Sequence, residues 1–256
     1  MVYKLDLKDK KILHQLELDA RQSYSSIAKK VGLSREVVTY RIKTLEKEGI
    51  IDKYTLILNA KKIGYESFKW YLQLENADQN KQMEIINEFK KHPYCVWINT
   101  CAGRWDLIVV FFALSPLHFK EITNELQAKF QKYIRETTFT IELDIYHFKK
   151  KYFLEEELKL YKTPYFGGTI EKIPLSKEEI RILTALCEDP RQSIVDISKK
   201  THLSLEIISY RIKKMETSGL IQGARANIDS SKLGFESYKV LLNLKQTNSP
   251  SEKEFI

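Results

Sequence analysis

Sliding the chain against itself by 170 residues brings two stretches into register without a gap. Residues 5–74 lie over 175–244, and about 28 of the 70 paired positions are identical, far more than unrelated segments share. The sharpest blocks are Arg21-Gln22-Ser23 over Arg191-Gln192-Ser193 and Tyr40-Arg41-Ile42-Lys43 over Tyr210-Arg211-Ile212-Lys213. Gly64, Glu66, Ser67 and Lys69 recur as Gly234, Glu236, Ser237 and Lys239. So long a period is too coarse for a solenoid, and it describes a duplicated multi-domain unit.

Each copy opens with three short helical patterns. The first carries Asp6-x-x-Asp9 ahead of Ile12, Leu13 and Leu16; its repeat carries Ser176-x-x-Glu179, a capping box, ahead of Ile182, Leu183 and Leu186. The second begins at Ser23 (Ser193) with Ile27, Ala28 and Val31 (Ile197, Ser198, Thr201) on one face. The third begins at Ser34 (Ser204) with Val38, Ile42 and Leu45 (Ile208, Ile212, Met215) at i, i+4, i+7 spacing. Between helices two and three stands only Val31-Gly32-Leu33, where Gly supplies the positive φ of a tight turn. The second copy has His202 there. This is a helix-turn-helix pattern. Gly49 and Gly219 end the third helix, and residues 50–58 read as a β wing.

Beyond Tyr65 the period changes. Residues 66–75 alternate as a strand, and 80–92 read as a helix with Met83, Ile86 and Phe89 inward and Pro93 as its stop. Residues 95–101 and 106–113 are strands joined by Ala102-Gly103-Arg104-Trp105. A helix over 116–133 turns Phe119, Ile122, Leu126 and Phe130 inward, and 136–148 is a last strand. The order β-α-β-β-α-β is the ferredoxin-like split βαβ. The fold class is therefore α+β. The expected divisions are a winged helix-turn-helix over 1–64, a βαββαβ domain over 65–153, a linker over 154–172, a second winged helix-turn-helix over 173–234, and over 235–256 the remnant of a second α/β domain. That second α/β domain is expected to be truncated. Without it, the second winged helix should hang on the charge-dense stretch 149–172 or dock on its own chain's first unit.

Composition narrows the function. Formal net charge +8 makes a polyanion a natural partner. The longest apolar run, 107–114, falls far short of the roughly 20 residues a membrane helix needs, and the first residues are charged, so no membrane association and a cytoplasmic location are expected. The three cysteines form no CxxC and have no histidines at ligand spacing, and no metal site or cofactor is expected. No GxSxG, HExxH, P-loop or GxGxxG occurs, which argues against an enzyme.

Subtracting core positions from the third helix leaves Arg35, Glu36, Thr39, Tyr40 and Lys43 outward, next to Ser34, within reach of base edges or phosphates in a major groove. Lys29, Lys30, Arg41 and Lys53 surround them as a backbone clamp. The second copy offers Ser204, Ser209, Tyr210, Arg211, Lys213 and Lys214. Residues 29–53 hold seven Lys/Arg against four Asp/Glu, and 199–222 hold five against two, so basic charge gathers where groove insertion needs it. Double-stranded DNA is the expected partner, and a helix-turn-helix used only for protein assembly is the alternative.

These residues carry a resemblance. Leu5-Asp6 with Ile12-Leu13, Arg21, Ile27-Ala28, Val31-Gly32-Leu33-Ser34, then Arg41-Ile42, Leu45-Glu46 and Gly49-Ile50-Ile51 resemble the Lrp/AsnC (feast/famine) transcription regulators. The βαββαβ unit is similar to that family's regulator-of-amino-acid-metabolism domain, with Gly103-Arg104-Trp105-Asp106 where the family carries a Gly-x-Tyr/Trp-Asp loop. The resemblance implies ligand-modulated DNA binding, dimers or higher even oligomers formed through the α/β sheets, and an amino-acid effector near Gly103, Arg104, Trp105 and Asp106. For that loop a plain hairpin turn with Trp105 packed on the core is the competing reading. The open sheet face is expected to carry some of Trp70, Trp97, Phe111 and Tyr146, and a dimer through it would place two first-copy recognition helices on half-sites. Family members are usually single units. Siroheme decarboxylases resemble the same family and bind a tetrapyrrole in the α/β half, but their Trp-Pro-Tyr-Asn-like segment has no counterpart here.

Overall fold

The computed structural model describes residues 3–146 and 165–242. Its elements are α1 (Leu7–Leu18), α2 (Tyr24–Val31), α3 (Arg35–Lys47), β1 (Ile51–Leu58), β2 (Glu66–Leu74), α4 (Gln79–Lys91), β3 (Cys95–Thr100) and β4 (Leu107–Ala113). There follow α5 (Pro116–Phe130), β5 (Ile134–Glu142), β6 (Ile145–Tyr146), β7 (Tyr165–Phe166), α6 (Lys177–Glu188), α7 (Ile194–Thr201), α8 (Leu205–Thr217) and β8 (Ile221–Ile228). Among the described residues, one compact unit gathers the chain up to Leu58 with the chain from Leu175 onward; the other holds Asn59–Ile145 and Tyr165–Pro174. The first unit thus contains both helix-turn-helix copies, although they lie at opposite ends of the sequence.

In the first unit every α-helix start is capped by the side chain the pattern placed there. Asp6 accepts from the N–H of Asp9 and Ser176 from that of Glu179, each closing a capping box; Ser23, Ser34, Ser193 and Ser204 cap the helices that follow them. The turn between the second and third helices is left-handed in both copies, at Gly32 (φ 66°) and at His202 (φ 56°). A non-glycine residue is strained in this region, and His202 is one of two such residues among those described.

After its third helix each copy has one wing strand, and a lone strand leaves a row of N–H and C=O groups unpaired. Each copy solves this with the other: β1 and β8 form an antiparallel two-stranded sheet. Tyr54 faces Ala226, Thr55 faces Arg225 and Leu56 faces Ala224. Thr55 and Arg225 are equivalent under the 170-residue repeat, so a local two-fold axis passes through this pair. The exchange reaches the core. Ala226 and Ile228 of the second copy pack with Ile12, Leu16, Ile27, Val38, Ile42 and Leu45 of the first. Of the two expected placements of the second winged helix, the structure takes docking on the first.

The other unit is a four-stranded antiparallel sheet in the order β3-β4-β2-β5 with α4 and α5 on one face. Phe68, Trp70 and Leu72 of β2 and Leu107, Val109 and Phe111 of β4 point toward Ile85, Ile86 and Phe89 of α4 and Phe119, Ile122, Leu126 and Phe130 of α5. Phe68 stacks on Phe119 at 4.6 Å between centroids, and Trp70 on Phe89 at 5.6 Å. Several expectations are corrected here. Trp70 and Phe111 lie under the helices, not on the open face; Trp97, paired with Val110, is on the open face and 45 % exposed. Met83 is exposed, and Ile85 takes its inward place. The last strand covers Ile134–Glu142 rather than 136–148; it is followed by the short ladder of β6 with β7, and residues 147 and 148 lie outside the described residues.

The segment expected as a linker, 154–172, lies outside the described residues up to 164. From 165 it is built into the second unit: Glu171 and Ile173 donate to the carbonyls of Lys61 and Lys62, and Glu171 pairs with Lys62. Residues 236–242, at the expected first strand of a second α/β domain, form no strand, and Tyr238, Val240, Leu241 and Leu242 are exposed. Residues 243–256 lie outside the described residues.

Candidate nucleic-acid interface

On α3 the positions left outside the core form one face. Arg35, Glu36, Tyr40 and Lys43 are exposed, Tyr40 at 72 %, and Thr39 is half-buried. On α8 the exposed residues include Leu205, Glu206, Ser209, Tyr210, Lys213 and Lys214. Lys29 and Lys30 end α2 in the open, and Lys53 is exposed on β1. Ser34 and Ser204 serve the helices, accepting from the N–H of Val37 and Ile207 at 3.3 Å. The Thr39 and Ser209 hydroxyls fold back to donate to the carbonyls of Arg35 and Leu205, both at 2.8 Å. Backbone N–H groups and the neighbouring cap hydroxyl hold the carboxyls of Glu36 and Glu206 below the ordinary glutamate range, so both first turns stay anionic.

Three cations expected at the nucleic-acid interface are paired within the protein. Arg41 donates to Asp6 and Asp9, both at 2.7 Å, and Arg211 to Glu178 at 2.9 Å and Glu179 at 3.4 Å. Lys214 holds Glu179 at 3.0 Å. The acids of the capping boxes sit at the start of the first helix and face the third, so the nearest cations brace the two helices. The N–H of Asp9 and the Arg41 guanidinium hold the Asp6 carboxyl below its ordinary value, and the two acids raise Arg41 in turn. Lys30 also bonds within its copy, to Gln22. Arg35, Tyr40, Lys43, Lys29 and Lys53 in one copy, and Tyr210 and Lys213 in the other, remain as the reaching groups.

Arg21 and Arg191 have a role that the helix-turn-helix pattern does not show. Arg21 donates to the carbonyl of Pro190 at 2.7 Å, and Arg191 donates to that of Ala20. Ala20 and Pro190 are repeat equivalents, so the two bonds are one bond made twice across the local axis. The Arg191 guanidinium also lies over the rings of Tyr24 and Tyr54, at 4.8 and 5.0 Å. Burial and a hydrogen bond to Glu46 raise the Tyr54 phenol well above its usual value, keeping it a neutral donor. The available signal was the identity of the Arg-Gln-Ser blocks.

The loop Gly103, Arg104, Trp105 and Asp106 is a well-satisfied turn. Trp105 is buried against Tyr71 and Ile108 on the open face of the sheet. Asp106 accepts from the N–H of Leu74 at 2.7 Å and donates its own N–H to Leu72. Gly103 has φ 136°, and Arg104 stacks over Trp105 and reaches Glu136 at 3.1 Å. A cavity of about 360 Å³ in the same unit is lined by Asn124, Gln127, Ala128, Gln131 and Ile134 and does not include this loop.

Comparison with known proteins matches this architecture. A family model described as winged helix-turn-helix DNA-binding fits residues 5–52 and again 177–222. The HTH-type transcriptional regulator LrpA of Pyrococcus horikoshii is 49 % identical over 111 residues, covering 43 % of this chain and 76 % of LrpA. The chain belongs to the Lrp/AsnC family of transcriptional regulators. A further relative, an HTH-type transcriptional regulator of Pyrococcus furiosus, is 35 % identical over 106 residues, 41 % of this chain and 71 % of its own length. Two solved structures share the fold. One is an AsnC family regulator from Agrobacterium tumefaciens (TM-score 0.50, 20 % identity, 57 % of this chain and 95 % of that one). The other is the siroheme decarboxylase NirDL (TM-score 0.53, 17 % identity, 87 % of this chain and 65 % of that one). At these identities they speak to the fold of this Lrp/AsnC chain and not to its chemistry. No helix among the described residues is long and apolar enough to cross a membrane.

Proposed function

We propose that this Lrp/AsnC chain is a sequence-specific DNA-binding transcriptional regulator, acting in the cytoplasm and not as an enzyme, whose output an amino acid or similar small effector adjusts. One observation carries the reading. Two N-capped helices, each set by a left-handed turn, keep Tyr and Lys at matched outward positions, Tyr40 with Lys43 and Tyr210 with Lys213, clear of the core. Arg35 adds a base-reading fork, and Lys29 and Lys53 supply phosphate contacts. Divided in this way, 1–64 and 173–234 read DNA, 65–153 binds effector and partner, and 235–256 corresponds to the start of a second α/β domain. For the effector site, Gly103 and Arg104 are the exposed groups of the loop, and Trp105 and Asp106 shape it. Copies associate as a homodimer or higher even oligomer through the open sheet face that carries Trp97.

The test is selection of bound duplexes from a random pool by the full chain, with and without free amino acids. Enrichment of a defined sequence that an amino acid strengthens or weakens is the expected result; no enrichment under either condition removes the reading.

A further inference from the structure

The two reading helices are tied together as part of a folded core, yet they are not chemically alike. Their tie is symmetric: Thr55 faces its own repeat equivalent Arg225, and the Arg21 and Arg191 bonds mirror each other. Ala226 and Ile228 complete the hydrophobic core of the opposite copy. A two-fold relation between two reading surfaces means that whatever half-site one reads, the other reads its inverse. Along the faces, Glu36, Tyr40 and Lys43 recur as Glu206, Tyr210 and Lys213. The first helical position does not recur: it is Arg35 on α3 and Leu205 on α8.

That position matters because the N-terminal residues of a recognition helix are the ones that meet base edges. Arg35 presents a planar fork of donors that suits guanine O6 and N7, while Leu205 has no donor and suits the methyl group of thymine. Leu205 is 44 % exposed, so core packing does not account for a leucine there. The extra cation of α8, Lys214, does not replace Arg35, since it is held by Glu179 at 3.0 Å.

Resting on the DNA reading above, we propose that one chain is a complete two-headed reader of an inverted repeat with unlike halves: G·C at the Arg35 position of one half and A·T, thymine toward the protein, at the Leu205 position of the other. Such a site has a direction, and the bound chain points its α3 copy one way along the duplex.

The experiment is selection from a pool of random duplexes by the full chain, by Leu205→Arg and by Arg35→Leu, followed by titration of synthetic asymmetric and symmetric duplexes. Both substitutions lie on exposed first-turn positions, and an unchanged circular dichroism melt verifies the fold. The natural chain should enrich an inverted repeat differing at one equivalent position and bind it roughly tenfold or more tighter than either symmetric version. Leu205→Arg should shift the pool to G·C in both halves, and Arg35→Leu to A·T in both. Identical halves from the natural chain, a lone half-site, or consensus sequences that neither substitution moves would overturn the unlike-halves inference while leaving DNA binding in place. If no sequence is enriched at all, both readings fall.

Discussion

Replacing Arg191 by Ala strips one charged hydrogen bond and two ring contacts from the seam between the helix-turn-helix copies. A hydrogen bond to a charged group contributes about 1.5–3 kcal/mol, and a cation over an aromatic face about 0.5–1 kcal/mol where water still reaches it. Arg191 is half-buried, so the lower ends apply, and the seam should lose about 2.5 kcal/mol, or roughly a seventyfold rise in its opening constant. Hydrogen–deuterium exchange reads this directly. Peptides over 51–58 and 221–228 should exchange about seventyfold faster in Arg191→Ala, while the peptide over 107–113, in β4 of the other unit, keeps its rate. Arg21→Ala, which loses its single bond to Pro190, should show the same pattern with a smaller factor. Unchanged exchange in the wing strands would refute the claim that the arginines hold the seam. Acceleration spread equally into β4 would show general destabilisation instead.

Four further outcomes follow from the same geometry. Tyr40→Ala should cost about 1–3 kcal/mol on the selected duplex and less on random DNA; equal losses on both, by fluorescence anisotropy, would reduce Tyr40 to a phosphate contact. Affinity should fall linearly on a log–log plot against salt, because each neutralised phosphate releases counterion, and a flat line would exclude DNA as the ligand. Asp6 titrates below its ordinary value of 3.8 in the folded chain, so its contribution is present above about pH 4 and lost as pH falls through its folded pKa. Asp6→Asn should therefore flatten the acid limb of a melting-temperature profile, and an unaltered limb would assign acid sensitivity to other groups. Light scattering should give a dimer or higher even oligomer that Trp97→Lys weakens; a monomeric natural chain would disprove association through the open face.

What was legible in the sequence was local. A cap, a left-handed turn and a stripe at helical spacing each involve residues a few positions apart, so Ser34, Gly32 and the set Val38, Ile42, Leu45 could be placed by inspection. Facing within the sheet was not legible. Residues 107–113 are apolar without interruption, and a run with no alternation has no phase, so only contact with the helices shows that Val109 and Phe111 point inward and Ile108 outward. At α4, Met83 and Ile85 both fit a stripe ending in Ile86 and Phe89, and the branched residue took the core. The ion pairs of the basic residues were not legible either, for an electrostatic reason. Charge counts do not say where a cation points, and Arg41, Arg211 and Lys214 turn toward the acids of the capping boxes.

The wing pairing lies beyond such reading because β1 and β8 are far apart in sequence and each looks complete as a single strand. Its consequence is that neither copy is self-sufficient. A chain cut before residue 175 loses the partner of β1 and also Ala226 and Ile228 from the first copy's core, so the second copy supports the fold of the first. Carrying both wings on one chain fixes their effective concentration, and pairing of the reading helices no longer depends on how much protein is present. It also frees the copies to diverge, since a seam within one chain must match itself but need not present two identical faces. The repeat shows that pattern. Arg21 and Arg191, which close the seam, are the same residue, whereas Arg35 and Leu205, which meet solvent on the reading face, are not.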